Sequence, residues 1–415
     1  MSDGDGTAGY LLSARAVRDR SRLLFERCRN RLSDHFTIDE GALDTAAAFV
    51  VNVTREAYPD LNVPYHSRWR HFEMGGVDRW AGFAARLPSP SDPAERARAR
   101  IELAIASVLL DAGAGPDWRY REAATGQVWA RSEGLAAASF AWVTAGAFST
   151  EPATAPWRVE PERLAAVTPE AFAAAFQVSH GNPLVGIDGR VGLLHGLSAV
   201  MAARPDCFAP DGRKPRLGHL YDHLAAEAGP ARRLPAEAIL SAVLRNLGGV
   251  WPGRLALGGV DLGDTWRHAA LADDACGGLV PFHKLSQWLA YSLVEPLEEA
   301  GIAVDGLDGL TGLPEYRNGG LFVDAGVLVP RYEAVTGRPH RPDSEIVVEW
   351  RAATVILLDE LATRVRAALG LDRIAFPLAK VLQGGTWSAG RRLAASRRPP
   401  GGDPPIRIDS DGTVF

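Results

Sequence analysis

The sequence predicts a mainly α protein with a minor β component, and three observations carry that expectation. Alanine occurs in clusters (Ala136-Ala137-Ala138, Ala173-Ala174-Ala175), apolar residues recur mostly at spacings of three and four, and long alternating strand patterns are scarce. At 415 residues, 47% hydrophobic and 23% charged, the chain can bury one large core or two medium ones. A formal net charge of −5 argues against nucleic acid or a membrane surface as the main partner and favours a small solute. Cys28, Cys207 and Cys276 are scattered without CxxC or Cys/His spacing, so neither a disulfide framework nor a zinc site is expected. The opening Met1–Gly6 is acidic with no hydrophobic run behind it, and no stretch of about 18 uncharged apolar residues occurs. The expected location is a reducing cytoplasm.

Taken in order, residues 1–30 read as an N-terminal extension and 31–415 as a single composite helical catalytic domain. Asp39 opens a helix running to Thr54, because an acidic start complements the helix dipole. A second helix spans 95–110, its last turns wholly apolar. Further helices are expected near 133–147, 168–177, 188–203, 217–227, 235–247, 282–299, 344–369 and 374–382. Short apolar pieces at 323–329 and 406–408 predict a small sheet. The Pro/Ser-rich 87–93 and Pro/Gly-rich 397–405 stretches read as surface loops rather than domain boundaries.

Chemistry concentrates in five places. In 65–73, Arg68, Arg70 and His71 stand among aromatics, which suits either a substrate wall with cations for a phosphate or carboxylate, or an ion-paired helix start. Asp111 closes an apolar helix end, where the dipole disfavours a carboxylate, so it is either an Arg-paired cap or a ligand acceptor; Trp118 follows shortly after. In the helix beginning near Phe282, Lys284, Gln287 and Tyr291 share a stripe beside the apolar face of Leu285, Trp288, Leu289 and Leu293. Glycines and Pro314 then stop the chain before Glu315-Tyr316-Arg317-Asn318-Gly319-Gly320, a presented loop. Lys284 with Glu315 is either a structural ion pair or the amine and acid that N-glycoside cleavage needs, with His283 as an alternative acid. Glu349 and Arg351 open a later helix, and Gln383-Gly384-Gly385-Thr386-Trp387 is either a phosphate nest or a helix terminus. The absence of a His/Asp/Glu cluster at ligand spacing predicts no metal, and no cofactor is expected.

These residues also carry a resemblance. His35–Asp39, Ser67–Phe72, Leu109–Trp118, Phe282–Leu289, Leu313–Gly320 and the closing 410–415 resemble the fungal and bacterial uracil-catabolism family, formerly a domain of unknown function, over roughly 30–415. That family is associated with a uracil pathway whose intermediate is ribosylurea, and it is placed at the step that releases urea. A more distant likeness is to the queuosine-salvage nucleoside hydrolases, through Asp111, the Phe-x-Lys-x-x-Gln pattern at Phe282, Lys284 and Gln287, the triplet Glu315-Tyr316-Arg317, and Glu349 with Arg351. It implies a helix-hairpin-helix DNA-glycosylase-like architecture, with Lys284 and Glu315 where the relatives' lysine and carboxylate lie. Those relatives carry the shorter Asp, and one methylene moves a carboxylate by more than ~1 Å, enough to alter attack geometry.

The resemblance implies an N-glycoside hydrolase that cleaves ribosylurea, with the 5′-phosphate as the expected form, to urea and ribose or ribose phosphate. Glu315, Lys284 and His283 are the expected catalytic groups. Asp111, Gln287, Tyr316, Arg317, Glu349, Arg351, Arg68, Arg70, His71 and Trp118 are the expected substrate contacts, the arginines serving a phosphate. A ribosyl or phosphoribosyl transferase and a non-catalytic binder of a pathway intermediate are the alternatives. No nucleic-acid or membrane partner is expected, and the sequence leaves the oligomeric state open.

Overall fold

A computed structural model describes residues 3–85, 87, 92–111, 113–251 and 255–409. The closing motif at 410–415, Ala112 and residues 88–91 of the Pro/Ser-rich loop lie outside the described residues. The protein is mainly helical, and its strands pair two by two into small sheets. The described residues divide into two compact units, one formed by those of 3–66, 255–287 and 306–409, the other by those of 67–251 and 288–305.

In the first unit the helix Ala14–Arg29 packs against the long helix Glu345–Leu369. Ala14–Arg29 falls in the expected extension, and no helix was expected there because its arginines interrupt the hydrophobic signal. The buried stripe Val17, Ser21, Leu24, Phe25 and Cys28 nevertheless has helical spacing, and the Ser13 side chain caps the start by accepting from the Ala16 N–H. Burying Leu24 and Phe25 contributes about 1.5–3 kcal/mol each. The helix expected at 39–54 spans Glu40–Ala57, with Asp39 accepting from the Gly41 and Ala42 N–H groups. Phe36–Ile38 pairs antiparallel with Leu328–Pro330. The apolar run expected as a strand over 323–329 is divided, since a helix begun at Tyr316 continues through Asp324 and Gly326, at φ +76°, turns the chain into the strand.

Thr265–Arg267 and Leu279–Pro281 form a hairpin-like antiparallel pair that delivers the chain to the helix Lys284–Glu299. The Gln383–Trp387 stretch is not an open nest. Leu382–Thr386 is a π-helical turn running straight into the helix Trp387–Arg397. Its glycines allow close approach to Glu40–Ala57: a Cβ on Gly385 would lie 2.5 Å from Val50 Cγ1 and 2.8 Å from the Val50 carbonyl.

The second unit is built on Pro93–Leu109, Arg131–Thr144, Ile187–Ala203 and Ala236–Leu247. Asp92 caps the first of these, whose residues from Ile101 to Leu109 are all buried. The aromatic rings of Trp69, Phe72, Trp80, Phe83 and Phe140 meet edge to face or tilted, at 5.2–6.3 Å.

Candidate active site

The site in the first unit is organised by a residue to which sequence reasoning gave no role, Asp264. Its carboxylate takes both guanidinium nitrogens of Arg351 at 2.8 and 2.7 Å, the Trp266 indole N–H at 2.7 Å and the Lys284 backbone N–H at 3.0 Å. Its own carbonyl accepts from the Phe282 N–H, and the Arg351 guanidinium lies 4.1 Å from the Phe282 ring centre. Burial opposes the charge on Asp264, but the Arg351 guanidinium outweighs it and holds the carboxyl well below the usual range. Asp264 therefore caps the Lys284 helix and ties it to Glu345–Leu369. The sequence signal, an acid before a short strand, is far in the chain from what it holds.

His283 sits at φ +48° immediately before that helix, the left-handed region that costs a non-glycine residue of order 1 kcal/mol. It is fully buried, with Nε2 2.8 Å from the Leu11 carbonyl oxygen. A carbonyl only accepts, so Nε2 carries the proton and Nδ1 is the bare nitrogen. Burial lowers its pKa, keeping the ring neutral at pH 7.

Lys284 is partly accessible on the first turn of the helix. Gln287, one turn on, is fully buried and accepts from the Thr311 N–H at 3.2 Å. Glu315 is the N-cap of Tyr316–Asp324, where its two oxygens accept from the Arg317 N–H at 2.7 Å and the Asn318 N–H at 2.6 Å. Glutamate is an unusual cap, since shorter side chains reach the first-turn amides more readily. Burial raises its pKa; the two amides and the charges of Lys284 and Arg317 pull the other way. Asn318, whose side-chain amide donates to the Leu313 carbonyl at 3.1 Å, completes this cluster and was given no role from sequence.

Other expected contacts are placed differently. Tyr316 and Arg317 are partly accessible, and the Arg317 guanidinium donates to the Gly402 carbonyl at 2.8 Å. Glu349 lies on another side of its helix from Arg351, buried and accepting from the Cys28 thiol at 3.4 Å; burial raises its pKa. In the second unit Arg68 is wholly buried, bonded to Ser107 Oγ and Asp111 at 2.7 Å each, with Ser292 Oγ accepting from its backbone N–H. Burial lowers the Arg68 pKa, against the charges of Asp111 and Glu133. Arg70 pairs with Glu295 at 2.7 Å and Glu73 at 3.1 Å. His71 meets the Trp288 ring edge to face at 5.8 Å. Trp118 is a core residue whose indole donates to the Phe176 carbonyl at 2.9 Å. Among the described residues no group of three or more His, Cys, Asp or Glu is placed to hold a metal, and no helix is long and apolar enough to cross a membrane.

Fold and site together define a mainly helical protein with an ammonium and a carboxylate placed at the starts of two helices, flanked by two buried amide side chains. The chain belongs to the family described as Protein of unknown function (DUF1688), whose pattern matches residues 10–415. It is 34% identical over 447 residues to Uracil catabolism protein 4 of Lachancea kluyveri and 36% identical over 416 residues to Protein urg3 of Schizosaccharomyces pombe, in each case covering 99% of both chains. The family expected from the sequence motifs is the family found.

Proposed function

We propose that this protein acts in uracil catabolism as an N-glycoside hydrolase, cleaving ribosylurea or its 5′-phosphate to urea and ribose or ribose phosphate. The pathway rests on the name of the Lachancea kluyveri relative. The chemistry rests on one observation, the Glu315 carboxylate held by two backbone amides with the Lys284 ammonium acting on it. The C1′–N bond breaks as water adds to C1′, and the departing nitrogen must gain a proton because the urea anion is a poor leaving group. Glu315 stabilises the oxocarbenium-like sugar or takes the proton from water, and Lys284 positions the substrate and supplies the proton to nitrogen. His283 is assigned to fixing the helix start, since its one proton is committed to Leu11 and its ring is neutral. Each of Arg68, Arg70, Arg317 and Arg351 is engaged with protein oxygens, so a 5′-phosphate would compete with these bonds. The helix-hairpin-helix glycosylase-like architecture is part of the same reading, with Leu310–Pro314 as the hairpin.

Incubating the protein with ribosylurea, with and without a 5′-phosphate, against the Glu315→Gln variant tests the proposal. Urea from the wild type alone supports it. If neither form yields urea while one still raises the melting temperature, the chain is a binder and the hydrolase reading falls.

A further inference from the structure

Two buried amide side chains, one bonded to Thr311 and one to Leu313, each leave one polar atom without a partner. Gln287 and Asn318 are both fully buried, and Gln287 Nε2 and Asn318 Oδ1 make no hydrogen bond. Their orientations are fixed by what the other atom of each amide meets. The Thr311 N–H can only donate, so it selects Gln287 Oε1; the Leu313 carbonyl can only accept, so it selects Asn318 Nδ2. The remaining atoms are therefore a donor at Gln287 and an acceptor at Asn318. Both side chains are tethered to one stretch, at residues two apart and so no more than about 7 Å apart at Cα. Unmet buried groups of this kind are rare in folded proteins and need an explanation.

We infer that Gln287 and Asn318 form a recognition site for one edge of a ureido group, the Gln287 Nε2–H donating to its carbonyl oxygen and Asn318 Oδ1 accepting from its N–H. A carbonyl beside an N–H presents an acceptor next to a donor, complementary to these two atoms. The site deepens the hydrolase reading, on which it rests for its ligand, by assigning the leaving group rather than the sugar to this pair. Glu315 accepts from the Asn318 backbone N–H, so the carboxylate and the acceptor amide share one helical turn. A ligand lacking either complementary group would leave a buried amide atom unmet, which gives discrimination of roughly 10–100-fold.

Calorimetric titration of the Glu315→Gln protein tests this without requiring turnover. The probes are ribosylurea and 1,4-anhydroribitol, which keeps the sugar and lacks the ureido group. Gln287→Glu preserves the bond to Thr311 while replacing the free donor with an acceptor, and Asn318→Leu removes the free acceptor. Each is expected to weaken ribosylurea binding by roughly 10–100-fold and to leave anhydroribitol binding within about twofold. Asn318→Asp keeps the acceptor and loses the tether to Leu313, and should bind ribosylurea far better than Asn318→Leu. Equal losses for both probes, no loss, or equal losses in Asn318→Asp and Asn318→Leu would overturn the inference. Selective binding without urea release by the wild type would sink the hydrolase reading and leave this one standing; urea release with unselective losses would do the reverse.

Discussion

Replacing Asp264 by asparagine is the most informative perturbation of the scaffold. The substitution conserves volume but removes the charge that faces Arg351, which is 1% exposed and makes two bonds of 2.8 and 2.7 Å to it. Breaking one partner of a buried pair strands the other charge and costs about 3–5 kcal/mol. For a unit of a few hundred residues that corresponds to a fall of roughly 6–20 °C in melting temperature. The same carboxylate receives the Lys284 N–H, so the start of the Lys284 helix loosens and turnover falls as well. The sign of the pH dependence follows from the depressed pKa of Asp264. Its stabilisation is fully present above the unfolded value of about 3.9 and is lost as pH falls below it toward the folded value, so Asp264→Asn should flatten this acid limb. Guanidinium chloride is the denaturant to use, because urea is the expected product. The double variant Asp264→Leu/Arg351→Met removes both charges and should recover most of the stability without recovering activity. A loss below about 1 kcal/mol in Asp264→Asn, or a double variant with normal turnover, would refute the role given to this pair.

Three other outcomes are expected. Because burial raises the Glu315 pKa and Lys284 lowers it, the acid limb of kcat should lie above the ordinary glutamate value, and Lys284→Met should move it to still higher pH; a limb unmoved by that change would separate the two groups. Gly385→Ala drives a Cβ into the Val50 side chain and carbonyl and should cost about 1–3 kcal/mol in denaturant unfolding. Arg68→Met leaves Asp111 buried without its guanidinium and should destabilise by about 3–5 kcal/mol, whereas changing both Arg68 and Asp111 to apolar residues should cost much less by the same assay.

Helices with a clean apolar period and an acidic start, such as Glu40–Ala57 and Pro93–Leu109, were legible in the sequence to within three residues at either end. Ala14–Arg29 was not, because Arg15, Arg18, Arg20 and Arg22 dilute a stripe that only burial against Glu345–Leu369 reveals. Lys284, Gln287 and Glu315 were singled out by helical spacing and by a Pro/Gly-bounded stretch, but that stretch is a helix start and not the presented loop expected, since Glu315 caps Tyr316–Asp324 and Gly319 and Gly320 lie inside the helix. Asp264 and Asn318 were not singled out, since their roles depend on partners distant in the chain or on the state of one amide atom. Arg70, Trp118 and Glu349 drew attention by residue type, and their contacts with Glu295, the Phe176 carbonyl and Cys28 arise from packing that spacing does not encode.

The central claim is that the C1′–N bond is the one broken, and product stoichiometry tests it most directly. The wild-type protein with ribosylurea should release urea and ribose in equal amounts with no ammonia. Ammonia and carbon dioxide in place of urea would mean attack at the ureido carbonyl, and would contradict the glycosidic reaction assigned to Glu315 and Lys284.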